Sequence, residues 1–447
     1  MKAGSDLQFA RANHNTKKIF ITTTWTCVRR KLDARRYADY FVKNNHEIVN
    51  DPRKADVILL VTCADTNSRT EQALKEAKKL MNYNAELIVA GCLPLIDKER
   101  LEEIFNGKTV STKEMEKIDE LFPEHKIKLH EIPDATIPWQ AVDESKTFSA
   151  LKEQMRKLKL VNKINKFFTD AIRKSSVGSN ALLSYYATSV EKPYFIVPSR
   201  GCLGKCAYCA INKAIGTMHS KPLDELVSNF KRGLDQGYKN FVIDADDLGC
   251  YGIDVGSNIT QLLNKIISIP GDYRLDLHFI HPQWVIRYID EFEEILKSGK
   301  VYRIGSSIQA GNPRVLKLMH RYSDTEKLKE TFLRLKKAYP PLLIETEIIV
   351  GFPSETFEEF LDSLRIIEEV RFGWGVIYPF SCKSGTEAEN INPKNSQEEI
   401  LKRIKYAKKY LRKRKYDVRY PKFFRKSSQN ILIYSDVGSM PNPIRKK

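Results

Sequence analysis

Three closely spaced cysteines are the residues of this 447-residue chain whose types and spacing best suggest chemistry. Cys202, Cys206 and Cys209 stand in the run Cys-Leu-Gly-Lys-Cys-Ala-Tyr-Cys, after a predicted strand. Thiolates hold iron–sulfur clusters, and three of them from one loop can ligate three irons of a [4Fe–4S] cluster and leave the fourth iron open. Zinc is the alternative, but it prefers four ligands, and no His or Cys follows Cys209 at a suitable spacing. The run therefore favours an iron–sulfur cluster.

A second set of three cysteines is spread over the amino-terminal part of the chain. Cys27, Cys63 and Cys92 each follow a short apolar segment. These segments are the predicted strands Lys18–Thr23, Val57–Thr62 and Leu87–Ala90. The helical periodicity of Arg30–Asn44 and Ser68–Met81 between them predicts a parallel sheet with helices on its faces. Loops converge at the carboxyl edge of such a sheet, so these cysteines are expected to meet there.

The last two cysteines, Cys250 and Cys382, belong to neither set and are expected to be buried as small apolar side chains. The start of the chain is polar and basic, without the apolar core of a secretory signal. The longest apolar runs are too short to cross a bilayer. A cytoplasmic location with no membrane partner is therefore expected, and in that reducing compartment the cysteines should not form disulfides.

Strand–helix alternation resumes from Pro193 to about Asn390. The predicted strands there are Tyr194–Val197, Asn240–Asp244, Arg274–Phe279, Arg303–Ile308, Leu343–Val350 and Trp374–Pro379. The predicted helices include Leu223–Gln236, Asn258–Ser268, Gln283–Lys297 and Phe357–Val370. The fold class is therefore α/β, with an amino-terminal parallel-sheet domain followed by a partial (β/α)6 barrel. We expect four regions: the first domain at 17–107, a basic helical insertion or linker at 108–190, the barrel at 191–390 and a basic helix and tail at 391–447.

The cysteine run after the first strand of a six-unit barrel resembles the radical S-adenosylmethionine superfamily. Further segments resemble its methylthiotransferase family. In the barrel they are Asp246-Asp-Leu-Gly-Cys-Tyr-Gly252, His281-Pro282, Ser307-Ile-Gln-Ala-Gly311, Met319-His-Arg-Tyr322, Val350-Gly-Phe-Pro-Ser-Glu-Thr356 and Ser381-Cys-Lys-Ser-Gly-Thr386. In the first domain they are Thr24-Trp-Thr-Cys27, Thr62-Cys63-Ala and Ala90-Gly-Cys92. Two three-cysteine sets in this order make the resemblance specific.

The resemblance implies two [4Fe–4S] clusters and S-adenosylmethionine as cofactors. Cys202, Cys206 and Cys209 would bind the radical-generating cluster, and Cys27, Cys63 and Cys92 an auxiliary cluster that carries sulfur. One S-adenosylmethionine would supply a methyl group, and a second would be reductively cleaved to a radical that takes a hydrogen from an unactivated C–H of the substrate. An external electron donor such as flavodoxin or ferredoxin is expected. Another radical S-adenosylmethionine enzyme with an auxiliary cluster is the alternative.

Four further residues are predicted to bind S-adenosylmethionine through the same resemblance. Tyr208 would lean towards the adenine, and Gln309 and Gly351 would line the cofactor pocket. Arg321 would bind the methionine carboxylate, since a guanidinium suits bidentate binding of a carboxylate. The ordinary alternatives are a capped strand end for Gln309 and a surface ion pair for Arg321.

The chain departs from the family pattern in two places. The first cysteine of the family is usually preceded by Gly and followed three residues later by Asn, where this chain has Thr26 and Arg30. Family members that act on tRNA or a ribosomal protein typically end in a small β-barrel called TRAM. The residues after Thr386 instead read as a basic helix, Gln397–Tyr416, and a single strand-like run, Ile431–Tyr434, so a complete TRAM domain is not expected.

The charge of the chain bears on its substrate. The formal net charge is +18, and residues 401–447 carry 16 Lys or Arg against two acids. Such a basic block can follow phosphates, or it can be a solvated helix face. Leu151–Lys174 is a second basic, amphipathic helical segment, which either packs on the barrel or contacts substrate. The substrate is expected to be a macromolecule, with tRNA favoured by charge and a peptide or protein as the alternative.

Overall fold

The structure is a computed structural model that describes residues 16–24, 26–139, 193–419 and 431–436. The predicted basic helix Leu151–Lys174 lies outside these residues, as do most of the segment 108–190 and the end of the basic tail. Within the described residues, no helix is long and apolar enough to span a membrane.

The amino-terminal domain is built on a five-stranded parallel sheet with the order β2-β1-β3-β4-β5. The strands are β1 (Lys18–Thr23), β2 (Glu47–Val49), β3 (Val57–Thr62), β4 (Glu86–Gly91) and β5 (Lys108–Ser111). The helices are α1 (Val28–Lys43), α2 (Asn67–Leu80), α3 (Leu93–Ile96), α4 (Lys98–Glu102) and α5 (Ile118–Leu121). Every residue of the central strand β3 is buried, because helices cover both faces of the sheet.

The predictions for this domain are confirmed for β1 and β3, whose bounds are as predicted. The sheet also contains β2 and β5, which the sequence did not reveal because they are three and four residues long and only partly buried. Because β5 belongs to the sheet, the sheet extends beyond residue 107, where the first region was expected to end.

The second domain is built on an eight-stranded open sheet with the order β14-β15-β13-β12-β11-β10-β9-β6. Its strands are β6 (Tyr194–Ile196), β9 (Asn240–Asp244), β10 (Arg274–His278), β11 (Val301–Gly305), β12 (Leu343–Val350), β13 (Trp374–Pro379), β14 (Asp417–Arg419) and β15 (Leu432–Ser435). The six from β6 to β13 run parallel, while β15 and β14 add antiparallel pairs at one edge. A two-stranded sheet, β7 (Ser199–Arg200) and β8 (His219–Ser220), flanks it. The predicted six-strand partial barrel is confirmed, and β14 and β15 are additions to its sheet. The strand-like run Ile431–Tyr434 predicted in the tail corresponds to β15.

Nine helices of this domain lie in the described residues. They are α6 (Ile211–Ile215), α7 (Leu223–Asp235), α8 (Ile259–Ile267), α9 (Pro282–Arg287), α10 (Ile289–Lys297), α11 (Pro313–Leu318), α12 (Thr325–Ala338), α13 (Phe357–Val370) and α14 (Gln397–Lys413). The single helix predicted for Gln283–Lys297 is wrong, because the chain leaves the helical conformation at Tyr288 (φ −113°). The basic helix α14 ends three residues before the predicted Tyr416, since Lys415 takes a left-handed conformation (φ 67°).

Candidate active site between the two cysteine sets

The three amino-terminal cysteines meet at the carboxyl edge of the first sheet, as predicted. Cys27 precedes α1, Cys63 directly follows β3, and Cys92 directly follows β4. Burial raises the pKa of the Cys63 thiol well above its usual value, and the nearby charges of Cys27 and Cys92 raise it further. The three thiols are therefore neighbours in space although they are far apart in sequence.

Two guanidinium groups lie against these thiols. Arg30 Nη1 is 3.6 Å from Cys92 Sγ, and Arg69 Nη1 is 3.5 Å from Cys63 Sγ. Each positive charge lowers the pKa of its thiol, against the larger effect of burial. Arg30 is only 2% exposed. Arg30, which stands where the family pattern has Asn, thus contacts the Cys92 thiol. A positive charge beside a thiol favours its ionised thiolate form.

The second cysteine set lies in the loop between β7 and α6. Gly201 has φ +84°, and a Cβ there would lie 2.2 Å from the carbonyl oxygen of Thr217, so no other residue fits. A Cβ on Gly204 would lie 3.2 Å from Cys202 Sγ and 3.8 Å from Cys206 Sγ. The backbone N–H of Gly204 also donates to Cys202 Sγ over 3.1 Å. Glycine at position 201 thus allows the turn of the loop. Glycine at position 204 leaves room beside the thiols of Cys202 and Cys206.

Each set offers three thiols, the ligand type and number that suit a [4Fe–4S] cluster with one open iron. Among the described residues, no three His, Cys, Asp or Glu side chains converge closely enough to hold one ion. A [4Fe–4S] cluster instead takes each thiolate at a separate corner. Burial raises the pKa of Cys202 to about 12 and that of Cys209 to about 11, so these thiols would release their protons on binding iron.

The segment that contains Arg321 holds the second cysteine loop in place. The backbone N–H of Ala207 donates to the carbonyl of Met319 over 3.1 Å. Arg321 lies 3.5 Å from Cys206 Sγ and donates to the carbonyl of Ser307. Its Nε is buried and has no partner. The alternative interpretation of Arg321 as a surface ion pair is therefore wrong, and its free Nε is available to an anionic ligand.

Tyr208 lies against the same thiol. Burial raises the pKa of Tyr208 well above its usual value, Arg321 lowers it, and a hydrogen bond to Cys206 raises it. Tyr208 and Arg321 therefore both lie at the Cys206 thiol. Their predicted roles in cofactor binding stay predictions.

Gln309 offers an unused acceptor at the carboxyl end of the barrel. Its backbone is in the left-handed region (φ 73°). The N–H of Gln309 donates to the carbonyl of Glu347 in β12 over 2.9 Å, and the N–H of Ile349 in the same strand donates to the Gln309 carbonyl over 2.8 Å. The side chain is buried, and Oε1 has no partner. A buried acceptor without a donor is costly, so this position suits a ligand that brings one.

Gly351 is explained by packing. It has φ +81°, and a Cβ there would lie 2.3 Å from Cγ1 of Ile400 on α14. Its N–H donates to Glu355 Oε2 over 2.6 Å, and that carboxylate pairs with Arg403 at 2.7 Å. The closeness of α14 requires glycine here, so the predicted contact of Gly351 with a cofactor stays a prediction.

A short chain of contacts joins the two cysteine sets. Arg29, two residues after Cys27, lies 3.2 Å from Asp246. Asp246 in turn accepts from the backbone N–H of Gly201 over 2.9 Å, next to Cys202. The carboxyl edge of the first sheet thus faces the carboxyl mouth of the barrel, and a substrate between the two domains would lie between the two sets.

A second set of contacts closes the other side of this interface. Asn67 at the start of α2 donates to the carbonyl of Cys382 over 3.0 Å. Lys383 is 1% exposed and pairs with Asp97 at 2.5 Å and with Thr70 Oγ1 at 2.8 Å. Cys382 itself is only half-buried, so its predicted burial is wrong, whereas that of Cys250 is confirmed.

The barrel interior carries a charged network that the sequence analysis missed. Arg303 pairs with Asp276 at 2.6 Å and with Glu345 at 2.9 Å. Burial alone would lower the pKa of His278, but Asp276 at 3.1 Å raises it to about 9. The available signal was charged residues at alternate strand positions, such as Asp276 and His278 in β10, which place both side chains on one face.

Similarity to known proteins agrees with this geometry. The sequence model of the radical SAM superfamily matches residues 196–367, and that of an uncharacterised protein family, UPF0004, matches residues 18–111. A probable threonylcarbamoyladenosine tRNA methylthiotransferase of Pyrococcus abyssi is 28% identical over 83% of this chain and 78% of its own length. The corresponding probable enzyme of Methanocaldococcus jannaschii is 25% identical over 87% of this chain and 83% of its own. The human threonylcarbamoyladenosine tRNA methylthiotransferase is 26% identical over 84% of this chain and 59% of its own.

The chain belongs to the radical S-adenosylmethionine methylthiotransferase family. It is an enzyme whose family uses S-adenosylmethionine and a [4Fe–4S] cluster. The methyltransferase TsrM of Kitasatospora setae, a solved structure, superposes with a TM-score of 0.54 at 12% identity, over 81% of this chain and 73% of that one. That likeness confirms the predicted fold class.

Proposed function

We propose that this enzyme inserts a methylthio group at an unactivated C–H of a tRNA nucleoside, with two [4Fe–4S] clusters and S-adenosylmethionine. The observation that carries the proposal is the placement of two three-cysteine sets on facing edges of two domains, joined by Arg29 and Asp246. When bound, these cofactors supply a radical that removes hydrogen and a sulfur atom that replaces it. The protein contributes the distance and orientation of the two sites.

The residues divide between the two cofactor sites. Cys202, Cys206 and Cys209 would hold the radical-generating cluster, and Cys27, Cys63 and Cys92 the auxiliary cluster. Arg321 would bind the methionine carboxylate through its free Nε, and Gln309 Oε1 would accept a hydrogen bond from S-adenosylmethionine. Tyr208 would close the pocket beside Cys206, and Gly351 would allow close approach of the backbone. An external donor such as flavodoxin or ferredoxin would deliver the electron.

A tRNA substrate is supported by the names of the relatives and by the surface of α14. Lys405, Lys409 and Lys413 are exposed and lie four residues apart, so they form one stripe along the helix. Tyr406, which is 40% exposed, lies beside this stripe. Lysines interleaved with an aromatic ring are typical of a surface that follows a nucleic acid backbone. Arg414 is excluded from this surface, since it pairs with Glu368 and covers the ring of Tyr410.

In the experiment, the reconstituted enzyme is incubated with S-adenosylmethionine and a reductant. The substrate added is either bulk tRNA that carries threonylcarbamoyladenosine or a peptide digest. Mass spectrometry of the digested tRNA should show an adenosine derivative in which one hydrogen is replaced by a methylthio group. A methylthio product found only in the peptide digest would move the substrate to a protein. Formation of 5′-deoxyadenosine with no methylthio product in either pool would refute the activity.

A further inference from the structure

One phenylalanine at the barrel mouth has an unusual backbone and an unusual exposure. Phe279 directly follows β10 and has φ 59°, a conformation that bulky residues rarely adopt. Its ring is nevertheless 38% exposed. The backbone is fixed from both sides, because the N–H of Leu248 donates to the Phe279 carbonyl over 3.0 Å and the N–H of Ile280 donates to Gly305 over 2.9 Å. Strained residues that the surroundings hold in place cluster at functional sites.

The ring lies at the interface of the two domains, next to the link between the cysteine sets. The guanidinium carbon of Arg29 is 5.0 Å from the centre of the Phe279 ring. Arg29 is itself held by Asp246 at 3.2 Å and by Asp244 at 3.4 Å. The rings of His278 and Phe279 are nearly perpendicular, with 5.6 Å between their centres. Phe279 is therefore a rigid aromatic surface at the carboxyl edge of the barrel.

A hydrogen-bond acceptor without a donor lies in the same cluster. Asp244 is completely buried, and its Oδ2 has no partner. Its Oδ1 faces Arg29, the residue that also covers Phe279. A nucleoside offers a partner to each of these two residues. Its base has an aromatic face that can stack on the Phe279 ring, and its base and ribose carry N–H or O–H donors for Asp244 Oδ2. An aliphatic side chain of a peptide offers neither.

We propose that Phe279 is the stacking platform for the nucleobase that the enzyme modifies, with Asp244 accepting a hydrogen bond from the same nucleoside. This inference rests on the proposed function, since it needs a nucleic acid substrate. The stacked base would lie beside Arg29 and Asp246, the residues that join the two cysteine sets. Base–aromatic stacking is sequence-tolerant in itself, so Phe279 would position the base rather than select it.

The test uses full-length reconstituted enzyme and an RNA in which 2-aminopurine replaces the target adenosine. The fluorescence of 2-aminopurine falls on stacking. Phe279→Leu keeps an apolar side chain of similar size but removes the aromatic face. Phe279→Tyr keeps that face, and Phe357→Leu removes another ring that is 41% exposed but lies on α13. Iron content and the absorption spectrum establish that each variant is folded and loaded.

The parent, Phe279→Tyr and Phe357→Leu should quench the probe, and Phe279→Leu should not. With tRNA, Phe279→Leu should raise KM about tenfold or more, as expected for one lost stacking contact. It should also release more 5′-deoxyadenosine per methylthio product, while Phe279→Tyr restores the parent ratio. Equal quenching and equal product ratios in Phe279→Leu and Phe357→Leu would overturn the inference and leave the proposed function intact. No methylthio product from the parent would instead overturn the proposed function.

Discussion

The buried pair of Lys383 and Asp97 gives a sharp test of how the two domains are held together. Lys383 follows β13 in the barrel domain, and Asp97 lies between α3 and α4 of the first domain, with side chains 1% and 8% exposed. Lys383→Met leaves Asp97 as a buried carboxylate whose remaining partner is the hydroxyl of Thr70. Removal of one member of a buried pair costs about 3–5 kcal/mol, because the other charge stays desolvated.

This cost should appear as a large fall in thermal stability. At about 2–4 °C per kcal/mol, the melting midpoint of Lys383→Met should fall by roughly 6–20 °C. The matched control is Lys402→Met, whose partner Glu398 lies 2.8 Å away with both side chains more than two-thirds exposed. Such a surface pair contributes at most about 1 kcal/mol, so this variant should melt close to the parent. The double variant Lys383→Met with Asp97→Leu should recover most of the loss, since no unpaired charge remains buried.

The assay is circular dichroism during heating of the reconstituted protein, together with the ratio of 5′-deoxyadenosine to methylthio product. Lys383→Met should keep its cleavage of S-adenosylmethionine at low temperature but couple it poorly to sulfur transfer, because the first domain is held less firmly over the barrel. If Lys383→Met and Lys402→Met melt at the same temperature, or if the double variant is less stable than the single one, the pair of Lys383 and Asp97 does not hold the two domains together.

Two further predictions concern the surface and the first domain. Changing Lys405, Lys409 and Lys413 to Gln should weaken tRNA binding. The plot of log K against log salt should become less steep by up to about 0.9 for each lost phosphate contact. The control changes the exposed residues Lys231, Lys265 and Lys297 to Gln, and equal effects of both sets would contradict a docking role for α14. Burial and the neighbouring His46 lower the pKa of His125 to about 4, whereas a histidine in an unfolded chain has a pKa of about 6.5. As pH falls, the unfolded state therefore binds a proton before the folded state does. The free energy of unfolding should decrease between about pH 6.5 and pH 4. Melting temperatures of the parent, His125→Asn and the exposed control His130→Gln should show a shallower pH dependence only for His125→Asn, and an unchanged dependence in that variant would refute this assignment.

The strands that the sequence predicted to the residue are those with an uninterrupted apolar run or a clear boundary. In β3 every residue is buried, and the apolar run Val57–Val61 ends at Thr62, just before Cys63. The strands that escaped prediction, such as β2, β5 and β14, are three or four residues long and lie at sheet edges, where partial burial leaves no pattern to read. Pairing of β15 with β13 is also a long-range event, which local periodicity does not encode.

The candidate site was predictable in its cysteines but not in the contacts that connect them. Topology brings Cys27, Cys63 and Cys92 to one edge, so parallel-sheet geometry sufficed for that set. The pairing of Arg29 with Asp246 and of Lys383 with Asp97 joins residues more than 200 positions apart, which a single sequence cannot reveal. Phe279 was predicted as the last residue of its strand, and only the backbone angle shows that the chain turns out of the strand there.

In the proposed enzyme, the two cysteine sets hold two clusters with different tasks on one substrate. The most direct measurement compares the parent with the Cys27→Ala, Cys63→Ala, Cys92→Ala triple variant for iron content, 5′-deoxyadenosine and methylthio-modified nucleoside. The parent should hold about eight irons, four for each [4Fe–4S] cluster, and the variant about half as many. The variant should still cleave S-adenosylmethionine and should form no methylthio product. Full iron content or methylthio product in the variant would contradict this division of tasks. Loss of cleavage would contradict it too, if the cluster at Cys202, Cys206 and Cys209 is spectroscopically intact.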